Sequence, residues 1–260
     1  MVLTFFSFVG KQVIATCNAF GDYVLFLVTA GKVLFTYPLK MRKVFVQMER
    51  IGVKSFPIAV LTGMFAGAVL ALQTYYGFSK FGTENMIGPI VALTLTRELG
   101  PVLTGLMVAG RSGSGIAAEI GTMKITEQVD ALETLCVNPF QYLICPRILA
   151  GIIIMPFLTI FAMMFGVLGG YIVCTYYFHL NPIVYIEGIS DFLKSDDITG
   201  GLIKSSVFGF ILTSIGSYKG YSTRGGAKGV GVATTKAVVI SSILILISNY
   251  FLAMLLFENV

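Results

Sequence analysis

The chain has 260 residues, 56% hydrophobic and 12% charged, with a mean hydropathy of +0.86. Soluble domains carry about 25% charged residues, so the composition excludes a soluble domain and predicts an integral membrane protein with no nucleic-acid partner. The net charge of +5 matters less than where the charges sit.

The N-terminal MVLTFFSFVGK lacks the basic start of a signal peptide and the Arg- and Ser-rich character of a transit peptide. In residues 1–36, Gly21, Asp22, Gly31 and Lys32 interrupt the apolar runs and leave none of full span length. One or two helices lying in the cytoplasmic interface are expected there. A sixth span is the alternative, and it would reverse the N-terminus. Residues 1–52 are read as an N-terminal interfacial region and 53–260 as a transmembrane bundle, together one membrane domain.

A span needs about 20 apolar residues. Five are predicted, near 56–76, 86–109, 148–178, 201–217 and 237–257. In the third, Pro156 and the Gly166, Gly169 and Gly170 cluster are candidate kink or packing points. Many other glycines lie in apolar runs, as close helix packing in a membrane requires. A short interfacial helix is expected in 181–199, opened by Asn-Pro.

Basic residues orient the spans. Lys40, Arg42, Lys43, Arg50 and Lys54 precede the first span. Arg111, Lys124 and Arg147 lie between the second and third, and Lys219, Arg224, Lys228 and Lys236 between the fourth and fifth. The opposite face has Lys80 and Lys194, with Glu187, Asp191, Asp196 and Asp197 in its long loop. The expected topology is N-terminus inside and C-terminus outside.

Polar groups inside apolar segments are candidate functional residues, since a charge at a membrane-helix centre costs at least about 2.5–3.5 kcal/mol. Arg97 and Glu98 are adjacent, about 100° apart on a helix, so each needs its own partner or a watery cavity. They either line a polar headgroup cavity or form a packing cluster near a span end. Lys204 either snorkels to the outer interface or faces the same cavity. Gln73 and Asn249 are milder polar intrusions.

The run GRSGSG at 110–115 is expected to end the second span and allow close helix approach, and Gly225 to Gly231 to form a flexible inner loop. No GxxxxGK[ST] occurs, so no P-loop is expected. A serine protease built on Ser112 would need a base, yet the lone His179 falls at the other end of a span, about 30 Å away. The cysteines Cys17, Cys136, Cys145 and Cys174 have no metal spacing and read as small core residues. No metal or cofactor is expected. Residues 119–136 carry an apolar period of three and four, consistent with one amphipathic helix. Its exposed face is acidic, which fits docking on a soluble partner better than resting on an anionic leaflet.

The stretch 94–147 closely resembles the MlaE family of ABC-type lipid permeases. The matching runs are RELGPVLTGLMVAGRSGSGIAAEIGTMKITEQVDAL and NPFQYLICPR, with weaker similarity at GMFAGAVLALQ, GLIKSSVFG and ATTKAVV. The resemblance implies an all-α fold of five transmembrane helices plus an N-terminal interfacial helix. It implies a homodimer bound by a cytoplasmic ABC ATPase pair and by a periplasmic MCE-domain protein. In some members a STAS-domain protein joins. The implied cargo is phospholipid moving between inner and outer membranes, with maintenance of outer-membrane lipid asymmetry. By position, Glu119, Lys124, Glu127, Gln128, Asp130 and Glu133 would lie on the coupling helix. Arg97, Glu98 and Lys204 match residues that line or support the lipid cavity. Some relatives carry an acid where this chain has Asn249, a departure expected to remove a partner for Arg97 or Lys204.

The resulting expectation is a permease subunit without ATPase chemistry of its own. Acyl chains would pack on Leu70, Leu72 and Met64, with Gln73 and Asn249 at the cavity and Arg97 and Lys204 offering charge to the phosphate. The main alternative is an ion-gradient-driven secondary lipid or solute transporter with Glu98 as proton site. A membrane scaffold without transport is a second alternative, and an intramembrane protease a third.

Overall fold

The computed structural model describes residues 2–38 and 40–257, and the backbone alone of residues 2–13, 15 and 16. Among the described residues there are helices and turns but no strand. Among the described residues, six helices are long and apolar enough to cross a membrane by length and composition.

Helix α1 (Val2–Thr36) is unbroken. Gly21 and Gly31 have nothing within 4 Å of where a side chain would begin, and the cost of about 1 kcal/mol per helical glycine is spread over 35 residues. The expectation of no full-length run is therefore corrected, because Cys17–Thr36 is a candidate span. Its partners nevertheless stay at one end of the bundle. Tyr23 hydrogen-bonds Ser214 at 2.8 Å, Phe26 packs on Phe140, Tyr218 and Tyr221, and the Cys145 thiol reaches the Ala30 carbonyl at 3.4 Å. A helix running along the bundle would change partners with depth. The described contacts of α1, from Tyr23 to Ala30, all lie at that end.

Helix α2 (Met41–Phe78) has 38 residues, about 57 Å at 1.5 Å each. That exceeds a hydrocarbon core of about 30 Å, so its basic first turns project beyond the membrane. The second span is α3 (Ile87–Thr94), a π-helical turn Leu95–Leu99, α4 (Gly100–Val108), a second π turn Ala109–Gly113 and α5 (Ser114–Ile125). The helix thus continues through GRSGSG instead of ending there, because Gly216 and Gly220 of a later helix let it approach closely: a methyl on Gly216 would strike the Gly113 carbonyl and one on Gly220 the Ala117 carbonyl, and this packing outweighs low propensity.

The predicted single amphipathic helix over 119–136 is two pieces. Glu127, at φ 59°, ends α5, and a separate α6 (Gln128–Thr134) follows. A π turn Phe140–Ile144 opens α7 (Cys145–Ile172), and another, Val173–Tyr177, closes it. The expected outer helix is α8 (Pro182–Phe192), capped by the Asn181 side chain on the Ile183 amide at 3.0 Å. Tyr185 fixes α8 to the bundle by donating to the Val167 carbonyl at 3.3 Å; burial pushes its phenol pKa up, so the donor proton stays on. Helix α9 (Ser195–Tyr221) and helix α10 (Gly226–Phe257) complete the bundle. Gly226 to Gly231 are helical rather than a flexible loop.

Glycines set the helix spacing. A methyl on Gly63 or Gly67 of α2 would strike the backbone of Ala162 or Gly166 on α7. Gly151 of α7 meets the Gly209 carbonyl of α9, and Gly201 of α9 meets the Thr96 carbonyl. Backbones this close replace the hydrophobic drive that a lipid solvent does not supply. Cys145 and Cys174 are buried as expected, whereas Cys17 and Cys136 are exposed.

Candidate functional site

Pro101 has no N–H to give the carbonyl four residues earlier, that of Arg97. The helix responds with the π turn Leu95–Leu99, and the freed Arg97 carbonyl accepts from Lys204 Nζ at 2.9 Å. The same ammonium donates to Glu98 Oε1 at 2.7 Å. Glu98 Oε2 accepts from the Asn249 amide at 2.8 Å. Arg97 turns the other way and holds Asp197 Oδ1 through Nε at 2.7 Å and Nη2 at 2.6 Å. The ring of Phe257 lies 4.9 Å from both cations.

Arg97 and Glu98 do have separate partners, as their angular separation requires. Lys204 does not snorkel: it is fully buried. Asp197 is 1% exposed, while Arg97 and Glu98 are about one-third exposed. Two cations and two carboxylates make the constellation formally neutral. The expectation that Lys204 presents free charge to a phosphate is therefore corrected. Arg97 is the cation with an open face.

Asn249 partners neither Arg97 nor Lys204; its amide donates to Glu98 instead. An amide beside Glu98 donates a hydrogen bond, where an acid would add a third negative charge. Asn249 Oδ1 is left buried without a partner among the described residues.

Two apolar cavities flank these groups. One of 580 Å³ lies between α2 and the second span, lined by Phe65, Val69, Leu70, Gln73, Leu99 and Leu103. The structure thus places Leu70 and Gln73 together, next to Leu99, the neighbour of Glu98. Met64 instead lies against Gly169 of α7. The other cavity, of 530 Å³, lies between α7, α8 and α9 and includes Thr96, Met163, Tyr171, Tyr185 and Ile198.

At the far end, Glu119 is gripped by Arg50 at 2.9 Å and by the buried Arg147 at 3.1 Å. It pins α5 to α2 and α7 rather than facing outward alone. Lys124 pairs with Asp130 at 2.6 Å across the break at Glu127. Val129 is buried, while Glu127, Gln128, Asp130, Glu133 and Leu135 are exposed. Ser112 is buried against Ser55 at 3.1 Å, and Arg111 reaches Ser55 at 3.0 Å. His179 follows Phe178, which stacks on Tyr75. Ser55 and Tyr75 are separated by 20 residues of α2, about 30 Å, so Ser112 has no histidine base.

The family model for the MlaE permease matches residues 44–255. The chain belongs to the MlaE permease family. It is 50% identical over 258 residues to a probable ABC transporter permease protein of Rickettsia typhi, covering 99% of this chain and all of the relative. A probable ABC transporter permease protein of Synechocystis is 42% identical, covering 85% of this chain and 84% of the relative. The intermembrane phospholipid transport system permease protein MlaE of Haemophilus influenzae is 38% identical, covering 99% of each chain.

Within this MlaE-family bundle, Asp197 and Phe257 are site members that sequence reasoning misses. Asp197 reads as one more acid of the outer loop. The available signal is its position seven residues before Lys204, which puts both on one face of α9.

Proposed function

We propose that the chain is the membrane permease subunit of an ABC-type system that moves phospholipid between inner and outer membranes. One observation carries this reading in a chain of this family: a neutral, interlocked charge constellation, with Arg97 open on one side, next to open apolar grooves that Thr96 and Leu99, on either side of the Arg97–Glu98 pair, help to line. The apolar cavity at Leu70, Gln73 and Leu99 takes acyl chains, and Arg97 meets the phosphate. Lys204, Glu98 and Asn249 hold the turn that carries Arg97.

Hydrolysis of ATP belongs to a separate cytoplasmic subunit, which docks on the acidic outer surface of α6 through Glu127, Gln128, Asp130 and Glu133. Lys124 braces that surface, and Glu119 transmits its displacement to α2 and α7. We place the basic end and the N-terminus in the cytoplasm and the C-terminus in the periplasm. A homodimer, an outer MCE-domain partner and a STAS-domain partner in some complexes complete the assembly.

An ion-gradient carrier is less favoured, because both carboxylate oxygens of Glu98 are already engaged, Oε1 by Lys204 and Oε2 by Asn249. The test is purification of the tagged chain from its native membrane in mild detergent, with mass spectrometry of what accompanies it. An ATPase, an MCE-domain protein and phospholipid are expected. A chain that crosslinks to no ATPase contradicts the reading.

A further inference from the structure

A cavity of 470 Å³ opens where α9 ends and α10 begins, at the basic end of the bundle. Four cations line it: Lys219 on α9, Arg224 in the connection, and Lys228 and Lys236 on α10. Ser222 and Thr223 add hydroxyls, and no carboxylate lines it. Among the described residues none of these four cations pairs with a carboxylate. The positive end of the 32-residue α10 helix lies at the same place. Four like charges held together without a counter-charge repel one another, and an anion relieves that repulsion.

The cavity continues into an apolar stripe. Val232 lines it. Lys236, Val239, Ile243 and Leu246 follow at spacings of four and three and share one face of α10. Val232, Val239, Ile243 and Leu246 are 47–53% exposed. A soluble phosphate compound would use the cavity and leave the stripe bare, whereas a phospholipid uses both. Basic pockets between membrane helices suit anionic headgroups.

We propose that this cavity binds the headgroup of an anionic phospholipid from the leaflet at the basic end, with its acyl chains along the α10 stripe. The site is separate from the Arg97 constellation. Lys228 and Asn249 are 21 residues apart on one helix, about 32 Å. The lipid bound here is resident, not the one in transit.

The chain contains no tryptophan, so one introduced at Val239→Trp reports on this face alone. The full chain with this probe is placed in phosphatidylcholine bilayers containing lipid brominated on its chains. Brominated phosphatidylglycerol is expected to quench at a mole fraction at least fivefold lower than brominated phosphatidylcholine, since each nearby cation contributes about fivefold. Lys228→Gln with Lys236→Gln is expected to remove most of that preference, and Lys228→Arg with Lys236→Arg to keep it. Equal quenching by the two lipids without those changes overturns the proposal, as does full preference in the glutamine variant. A preference abolished by millimolar inorganic phosphate assigns the cavity to a soluble phosphate compound instead. A preference present in the chain alone but lost in the complex purified from its membrane assigns the surface to a protein subunit, and also overturns it. Every arm reads lipid binding rather than transport, so the outcome is independent of whether the chain transports lipid.

Discussion

Lys204 Nζ donates to the Arg97 carbonyl at 2.9 Å, the carbonyl that Pro101 leaves without a helical donor. A buried ammonium thus supplies what the backbone lacks, and a π turn persists in the middle of a membrane helix. Lys204→Met removes that donor and one partner of Glu98 together. Breaking a buried pair typically costs about 3–5 kcal/mol; with Glu98 one-third exposed, about 2–3 kcal/mol is expected. The midpoint of thermal unfolding in detergent should fall, and adding Glu98→Gln should recover part of the loss. An unchanged midpoint in Lys204→Met would show that the pair contributes no stability.

Arg97 and Asp197 separate a transport role from a packing role. Arg97→Ala strands a buried carboxylate, so some instability is expected from that change alone. The double change Arg97→Ala with Asp197→Asn removes both charges. It should restore the unfolding midpoint to within about 1 kcal/mol of the parent while lipid transfer stays at least tenfold reduced. Recovered transfer in the double variant would confine Arg97 to a structural role.

Residues 119–136 illustrate what is and is not legible in the sequence. Their apolar period and acidic face are visible, and Val129 is indeed buried beneath exposed acids. The break at Glu127 is not visible, because the left-handed region usually selects Gly or Asn and Glu carries no such signal. The five apolar runs, the Asn-Pro cap of α8 and the separate partners of Arg97 and Glu98 follow from spacing and valence. The continuity of the helix through GRSGSG does not, since glycine propensity argues for a stop and the opposing decision comes from packing on α9 and its C-terminal turn. Asp197 escapes for a related reason: its face is known only once α9 is seen to start at Ser195.

The acidic surface of α6 gives a test by charge reversal. Glu133→Lys lies on the exposed face without an ion-pair partner among the described residues. It should weaken ATPase co-purification at least fivefold with no change in thermal midpoint. Glu127→Gly should weaken co-purification too, while adding about 1 kcal/mol of stability by relieving the positive φ. Equal recovery of ATPase with Glu133→Lys would exclude this face as the docking surface.

Glycine contacts between α2 and α7 predict position-dependent tolerance. Gly67→Leu would drive a side chain into the Gly166 carbonyl, and overpacking of this kind costs about 1–3 kcal/mol or more. Gly21→Leu in α1 meets nothing within 4 Å and should be neutral or stabilising by about 0.5–1 kcal/mol. Size-exclusion profiles and unfolding midpoints of the two variants distinguish these outcomes.

The most direct test of lipid transport is reconstitution of the purified complex in proteoliposomes carrying a fluorescent phospholipid. ATP should accelerate movement of that lipid to an acceptor, and Arg97→Ala with Asp197→Asn should abolish the ATP-dependent part while leaving the complex assembled. Lipid movement that ignores ATP and follows an imposed proton gradient, or that survives loss of the ATPase subunit, would contradict an ABC permease.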